Sequence, residues 1–229
     1  MAKVFIEETT LTAIGDAIRV KEGTTELVPV NDMATRITSL PSGKLCGFLA
    51  YYRNGSEDYF DTLTADDFKG LDTIRPYAFA GWSGKSIEFP DGVTFAVDEG
   101  HQFYKCHSLT NVTLPSDLTD ISAYMFSECA LRELTLPETI NRIYNRAFYS
   151  SSLRTITIPA ACKQIDSYAF GNCDYLTTVT FKGTPESIAT NVFNSCESHI
   201  DIYVPWAEGE VADAPWGATN ATIHYNSEV

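Results

Sequence analysis

Hydroxyl side chains recur at matching positions in consecutive stretches of this sequence, and they are the first candidates for chemistry. One column is formed by Thr113, Thr135, Thr157 and Thr180. A second, more varied column is formed by Asn111, Glu133, Thr155, Thr178 and Asp201. Hydroxyl, amide and carboxylate groups in rows on an outward sheet surface can exchange hydrogen bonds with a protein or glycan partner. The candidate binding residues are therefore Thr113, Glu133, Thr135, Thr155, Thr157, Thr178 and Thr180.

The same threonines also have a structural interpretation. Threonine is favoured in strands and pairs well with itself across neighbouring strands. Only the rows at Thr155 and Thr178 carry threonine in both columns, so the sequence does not predict the regular threonine grid of an ice-binding surface. Both interpretations place the columns on the outer face of a sheet.

Signatures of catalysis fail on inspection. Gly81-Trp-Ser-Gly84 has the wrong spacing for a nucleophile elbow, and no phosphate-binding glycine loop is present. Glu208, Glu210 and Asp213 lack the ligand spacing of a metal-binding loop and are interpreted as a solvated acidic turn. We therefore predict no enzyme activity, no catalytic residue, no metal site and no cofactor.

A periodic phenylalanine indicates the elements that must carry the threonine columns. Phe103, Phe126, Phe148, Phe170 and Phe193 are separated by 22 or 23 residues. A unit of this length cannot bury its own apolar face and must stack on its neighbours. The sequence therefore predicts a solenoid over residues 74–205, with one strand on one wall of each coil and a turn or short helical segment on the other.

Four cysteines share one position in this period. Cys106, Cys129, Cys173 and Cys196 each lie three residues after a repeat phenylalanine, and Ser151 fills the same position in the remaining unit. A position that accepts either cysteine or serine predicts a ladder of small turn residues with reduced thiols, rather than disulfides. Since no Cys-x-x-Cys pair exists and the histidines are scattered, zinc binding is not predicted.

The units also resemble a known family. Residues 153–159 read Leu-Arg-Thr-Ile-Thr-Ile-Pro, and residues 165–170 read Ile-Asp-Ser-Tyr-Ala-Phe. These segments resemble the BspA-type leucine-rich repeats, whose unit reads roughly L-x-x-I-x-L-P followed by I-x-x-x-A-F-x-x-C. The resemblance covers about residues 74–205 and implies that the outward strand positions are the binding face. Residues 83–106 depart from the unit, which predicts an insertion or a bent coil.

The regions outside the solenoid have different patterns. Residues 1–42 predict a helical hairpin segment, because apolar residues recur there at helical spacing. Residues 43–73 predict a β-hairpin around Asn54-Gly55 and a short helix through Phe68, which would cap the array. Residues 206–229 are predicted to cap its other end. The predicted fold class is thus an α+β solenoid with a small N-terminal helical segment and a hairpin cap.

Two further segments resemble a particular biological setting. Residues 11–19 and 32–37 look like a helical segment common at the start of tail-associated proteins of phages and prophages in Gram-positive gut bacteria. Residues 204–211 and 214–223 resemble the terminal segment of repeat proteins from that setting. The resemblance implies that residues 1–42 attach the protein to a virion or mediate homo-oligomerisation.

Charge and hydropathy exclude several partners. The chain has 16 Lys and Arg against 30 Asp and Glu, a formal net charge of −14, which disfavours nucleic acid and anionic membrane surfaces. No apolar run has the length of a membrane span, and the first residues lack the pattern of a signal peptide. We therefore expect a virion-associated protein that resides in the bacterial cytoplasm before assembly, or a cell-surface protein if an export signal was trimmed.

These observations predict a non-enzymatic, protein- or glycan-binding repeat module of the phage or prophage tail, with a host-surface protein or glycan as its partner. The first alternative is a bacterial BspA-like surface adhesin. The second is a structural spacer. The residues alone name no ligand.

Overall fold

The computed structural model describes residues 62–68, 73–97 and 99–228. The predicted helical segment at residues 1–42 and the predicted hairpin at Asn54-Gly55 lie outside these residues. Within the described ranges the chain forms a solenoid of short parallel strands.

The first wall of the solenoid, named here the strand wall, carries strands of two to four residues. They are β1 Thr62–Leu63, β3 Ser86–Glu88, β5 Asn111–Thr113, β8 Thr155–Ile158, β10 Thr178–Phe181, β12 Ile200–Tyr203 and β13 Ala221–His224. They form two parallel sheets, of order β1-β3-β5 and β13-β12-β10-β8. In β8, Thr155 and Thr157 are exposed whereas Ile156 and Ile158 are buried, so the side chains alternate between solvent and core.

The second wall, named here the short-strand wall, carries strands of two residues. They are β2 Thr73–Ile74, β4 Thr94–Phe95, β6 Asp120–Ile121, β7 Arg142–Ile143, β9 Gln164–Ile165 and β11 Ser187–Ile188. β7 pairs with both β6 and β9, and β9 pairs in turn with β11. These pairs hold four successive coils together opposite the strand wall.

The repeat phenylalanines form a continuous stack between the walls. Neighbouring ring centroids in the series Phe103, Phe126, Phe148, Phe170 and Phe193 lie 5.1 to 5.7 Å apart. Each of these rings is fully buried. The predicted period therefore corresponds to one aromatic ring per coil, and the stack fixes the register between coils.

The segments that flank this stack are turns, which is one of the two forms predicted for them, the other being a short helical segment. The residue two positions after each phenylalanine is left-handed, with φ between 55° and 72°, at Gly81, Lys105, Glu128, Ser150, Asn172 and Ser195. A left-handed residue ends right-handed helical winding, so the chain turns sharply instead. Within the described residues there is no α-helix, and the helical part of the predicted α+β class is not observed there. A 3₁₀ helix at Ala65–Phe68 confirms the short helix that was predicted to reach Phe68.

The strand wall is interrupted at residues 133–136, which corrects the prediction of a strand in every coil. These residues form no strand and exchange no backbone hydrogen bond with β5 or β8. The last backbone bond before the opening runs from the Arg154 N–H to the Arg132 carbonyl, at 2.8 Å. Because the phenylalanine stack and the short-strand wall continue through this coil, the opening is local to the strand wall.

Residue type explains why this coil differs. Residues 133–136 read Glu-Leu-Thr-Leu, whereas residues 155–158 read Thr-Ile-Thr-Ile. β-Branched side chains favour extended backbone, and only one of the former residues is β-branched while all of the latter are. The sequence of this coil is thus the weaker strand former.

The coils near the two ends also have distinct features. Paired Ser86 and Asn111 are 25 residues apart, whereas paired Thr155 and Thr178 are 23 apart, so the coil that spans residues 83–106 is longer, as predicted. At the other end, Trp206 and Trp216 are buried, with ring centroids 5.3 Å and 5.9 Å from Phe181. Within the described ranges no helix is long and apolar enough to span a bilayer.

Candidate binding cleft on the strand wall

The interruption of the strand wall opens a cleft of about 480 Å³ between β5 and β8. This volume lies within the range of roughly 300–1,000 Å³ that is usual for ligand sites. The lining residues come from β5, from the unpaired segment 133–136, from β8, and from the turns that follow the strands. They are Thr110, Asn111, Val112, Thr113, Glu133, Leu134, Thr135, Leu136, Glu138, Thr155, Ile156, Thr157, Pro159 and Lys182.

The cleft gathers five of the candidate binding residues. These are Thr113, Glu133, Thr135, Thr155 and Thr157, all of which are exposed. Thr178 and Thr180 lie on β10, opposite Thr155 and Thr157 in the parallel register, and they do not line the cleft. Thr135 and Thr157 share the predicted column, but their main chains are not hydrogen-bonded to each other. Both side chains line the cleft.

The cleft has a polar rim and an aliphatic floor. Hydroxyl and amide side chains form most of the rim, whereas Val112, Leu134, Leu136 and Ile156 supply the apolar atoms. Leu134 and Leu136 keep 7% and 5% of their surface exposed, while Ile158 in the closed coil is fully buried. The floor side chains thus still point into the core. What this coil lacks is the hydrogen bonding between its main chain and those of β5 and β8.

Main-chain groups on both sides of the cleft face the opening. The Asn111 N–H donates to the Lys85 carbonyl at 3.0 Å, and the Thr113 carbonyl accepts from the Phe89 N–H at 3.0 Å. Since alternate residues of a parallel strand bond to opposite neighbours, the peptide groups of Val112, between them, face the cleft.

The same reasoning applies to β8 on the other side. The Ile158 carbonyl accepts from the Lys182 N–H at 2.9 Å, so the even-numbered residues of β8 bond to β10. Thr155 and Thr157 therefore direct their peptide groups toward the cleft. Both edges of the opening present backbone donors and acceptors that the fold does not pair.

The charged residues of the cleft differ in whether they have partners. Lys182 Nζ lies 2.5 Å from Glu138 Oε1, which neutralises both groups. Glu133 is exposed and forms no ion pair or hydrogen bond with another described residue. The cleft therefore carries one uncompensated negative charge among its lining residues.

Sequence reasoning missed part of this site. Thr110, Glu138 and Lys182 were not among the candidates, nor were the aliphatic floor residues. One signal was present in the sequence, because Glu138 and Lys182 each follow the strand segment of their own coil. The change from β-branched residues to leucine in residues 133–136 was a second signal, and it favours a weaker strand in this coil.

The cysteine ladder is confirmed at Cys106, Cys129, Cys173 and Cys196, whereas Cys162 lies at a different position and Cys46 lies outside the described residues. The thiols of Cys129, Cys173 and Cys196 donate to phenylalanine carbonyls of the preceding coil at 2.9, 3.0 and 3.1 Å. Burial raises the pKa of Cys173 to about 12 and that of Cys196 to about 11. These buried thiols are neutral near pH 7, which suits their packing in the core.

Tyrosines near the repeat phenylalanines stack between coils. His101 lies between Tyr77 and Tyr124, with ring centroids 4.5 Å and 4.4 Å away. The Arg146 guanidinium lies 4.9 Å from the Tyr168 ring and donates to the Tyr124 hydroxyl at 2.9 Å. This column holds the outer turns in register.

A cluster of imidazoles lies at the far end of the strand wall. Asp201 Oδ1 is 2.8 Å from His224 Nε2 and 3.8 Å from His199 Nε2. His199 also contacts Asn220 and Thr222 at 2.9 and 3.1 Å. In the part of the chain that the structure describes, no three His, Cys, Asp or Glu side chains are arranged to hold a metal ion.

A parallel solenoid with one stacked aromatic ring and one cysteine or serine per coil has the architecture of a leucine-rich repeat array. Residues 99–207 match the family model described as BspA type leucine rich repeat region, in six copies. Over these residues the chain is similar to the BspA-type leucine-rich repeat family.

Two solved bacterial structures are among those that match this chain. A leucine-rich repeat protein of Bacteroides ovatus ATCC 8483 is 27% identical with a TM-score of 0.51, over 59% of this chain and 35% of that one. A leucine rich cell surface protein of Faecalibacterium prausnitzii A2-165 is 19% identical with a TM-score of 0.35, over 58% of this chain and 59% of that one. The chain thus spans less than two thirds of either protein. No curated protein matches it.

Proposed function

We propose that this protein is a non-enzymatic binding module that recognises a protein or glycan on a cell surface through its strand wall. The observation that carries the proposal is the cleft between β5 and β8, which gathers five of the sequence-predicted binding residues. A repeat array commonly binds through its extended, rigid face because those residues are not needed for the core.

The chemistry of the strand wall supports a surface partner. Hydroxyl groups both donate and accept hydrogen bonds, so a row of threonines can contact a polar surface without requiring one charge pattern. The net charge of −14 favours a neutral or basic partner and disfavours nucleic acid and anionic lipid.

The biological setting that we propose is the tail of a phage or prophage of Gram-positive gut bacteria. The resemblance of residues 11–19 and 32–37 to tail-associated proteins supports it, together with the resemblance of residues 204–211 and 214–223 to the terminal segment of repeat proteins from that setting. In this setting residues 1–42 attach the module to the virion or to further copies of itself, and the strand wall contacts the host. The protein would be found in the bacterial cytoplasm before assembly and on the virion afterwards. A BspA-like adhesin on the cell surface and a structural spacer are the alternatives.

The proposal is tested by attachment of the fluorescently labelled full chain to a panel of Gram-positive gut bacteria and epithelial cells. We expect saturable binding to at least one member, and loss of that binding when Thr135, Thr157 and Thr180 are all replaced by lysine. The matched control replaces the exposed residues Thr184, Thr190 and Thr219 by lysine, which changes the net charge equally without altering the strand columns. This control should bind like the unaltered protein.

The outcomes separate the alternatives. Undiminished attachment of the folded Thr135, Thr157 and Thr180 variant would contradict a role for the strand wall. If no cell type binds the unaltered chain, the spacer is favoured. Binding to epithelial cells but not to bacteria would favour the adhesin over the phage tail.

A further inference from the structure

We propose that the cleft binds an extended peptide segment of its partner, whose main chain pairs with the strand edges that residues 133–136 leave open. This inference rests on the proposed function and names the ligand class of that same site. It has three supports, namely the unpaired main-chain groups, the composition of the lining and the charge of Glu133.

The main-chain groups provide the first support. β5 and β8 each have a partner on one side only, β3 and β10 respectively. The peptide groups of Val112, Thr155 and Thr157 face the cleft, and residues 133–136 exchange no backbone hydrogen bond with either strand. Exposed strand edges of this kind are templates for an added strand, which bonds through its own N–H and C=O groups.

The size of the opening agrees with a short strand. The unpaired segment has four residues, from Glu133 to Leu136, and four extended residues span about 13 Å. A peptide of this length would lie with alternate side chains toward the aliphatic floor and toward solvent. Peptide recognition by strand addition derives its affinity from the main chain and its specificity from such alternate side-chain positions.

The lining favours a peptide over a glycan. None of the residues that line the cleft is aromatic, so it lacks the flat apolar surface on which sugar rings usually stack. The floor residues Val112, Leu134 and Ile156 instead suit small aliphatic side chains. The threonine hydroxyls of the rim can bond to main-chain groups at either end of the peptide.

The charge of the cleft specifies the peptide further. Glu138 is paired with Lys182, which leaves Glu133 as the uncompensated group of the lining. Arg132 and Arg154 precede the lining residues of their coils and do not line the cleft themselves. A lysine or arginine in the bound peptide would pair with Glu133, and the overall negative charge of the protein would speed the approach of such a peptide.

The experiment is a selection of a displayed library of random dodecapeptides on the immobilised full chain. We expect enrichment of peptides that carry small aliphatic residues at alternate positions together with a basic residue. N-methylation along a selected peptide should then weaken binding by about tenfold or more at alternate positions only, because only alternate N–H groups point toward a given strand edge.

Two variants separate the contribution of the strand edges from that of the charge. Leu134→Ile with Leu136→Ile keeps Glu133 but raises the β-branched residues of the segment from one to three of four, and we expect the more strand-like backbone to weaken binding several-fold. Glu133→Gln leaves the opening intact, and it should weaken binding only a few-fold and abolish the preference for basic residues.

The results that overturn the inference are distinct from those that overturn the proposed function. The inference fails if the selection enriches no peptide, or if no position is sensitive to N-methylation. It also fails if the folded leucine-to-isoleucine variant binds the peptides unchanged. Binding of a glycan array that is lost in that variant would assign the cleft to glycans instead. In each case the loss of cell attachment by the Thr135, Thr157 and Thr180 variant still tests the proposed function on its own.

Discussion

Lys182 Nζ lies 2.5 Å from Glu138 Oε1, although 44 residues separate the two side chains along the sequence. Lys182 follows β10, and Glu138 follows the unpaired segment two coils away, so the pair reaches across the intervening coil at Pro159. It therefore bounds the cleft at the end where the strands stop.

Replacing Lys182 by methionine tests the role of this pair. Both side chains are largely exposed, and exposed ion pairs contribute only about 0–1 kcal/mol, so the free energy of unfolding should change little. The freed Glu138 carboxylate adds a second negative charge to the cleft. We expect a basic peptide selected on the protein to bind several-fold more tightly at low salt, as measured by fluorescence anisotropy. The gain should vanish when Glu138→Gln is added, and a gain that persists would show that this charge is not its cause.

Removing one ring from the phenylalanine stack should be the most destabilising single change. Phe148 is fully buried, with its ring centroid 5.5 Å from that of Phe126 and 5.1 Å from that of Phe170. Phe148→Ala leaves a cavity between two coils and should cost about 3–5 kcal/mol in denaturant unfolding. Tyr175→Ala is the control, because Tyr175 is 60% exposed and should change stability by no more than about 0.5 kcal/mol. Similar losses for both variants would contradict the role of the stack.

The cysteine ladder predicts a loss of stability at high pH. Burial raises the pKa of Cys173 from 9.0 to about 12, so the folded state retains a proton that the unfolded state releases above pH 9. The contribution of this thiol to stability is complete below pH 9 and is lost as the pH rises toward 12. The Cys173→Ser variant, which copies Ser151, should therefore show a weaker fall of the unfolding midpoint between pH 9 and 11 than the unaltered protein. Identical pH profiles would mean that the thiol does not titrate on unfolding.

The solenoid could be predicted from the sequence, because a fully buried ring such as Phe126 or Phe148 must recur once per coil to keep the stack in register. The cysteine ladder could also be predicted, because Ser151 takes the place of the repeat cysteine in one coil and both side chains are small enough for that turn position. The cleft was harder to predict. Threonines 135 and 157 share a column in the sequence, but periodicity alone does not tell whether neighbouring main chains are hydrogen-bonded.

The opening depends on the preference of the backbone for an extended conformation, which a pattern of apolar and polar positions does not contain. Leu134 and Ile156 are both aliphatic and both fill the core, so they are equivalent in a hydrophobic pattern. They differ in β-branching, which changes the preference for extended backbone by only a fraction of the roughly 1 kcal/mol that the strand propensity scale spans. The ion pair between Lys182 and Glu138 joins coils that are not neighbours, and a unit-by-unit comparison does not reveal it.

The central claim is that the strand wall is open at residues 133–136 and that this opening is the docking site. Amide hydrogen exchange of the full chain tests it most directly, with the protein alone and with a selected peptide bound. In the free protein, the amides of residues 133–136 should exchange much faster than those of Thr178–Phe181 in β10, which lies between two paired strands. Peptide binding should slow exchange there and at Thr155 and Thr157. Protection of residues 133–136 equal to that of β10 in the free protein, or exchange that the peptide leaves unchanged, would contradict the claim.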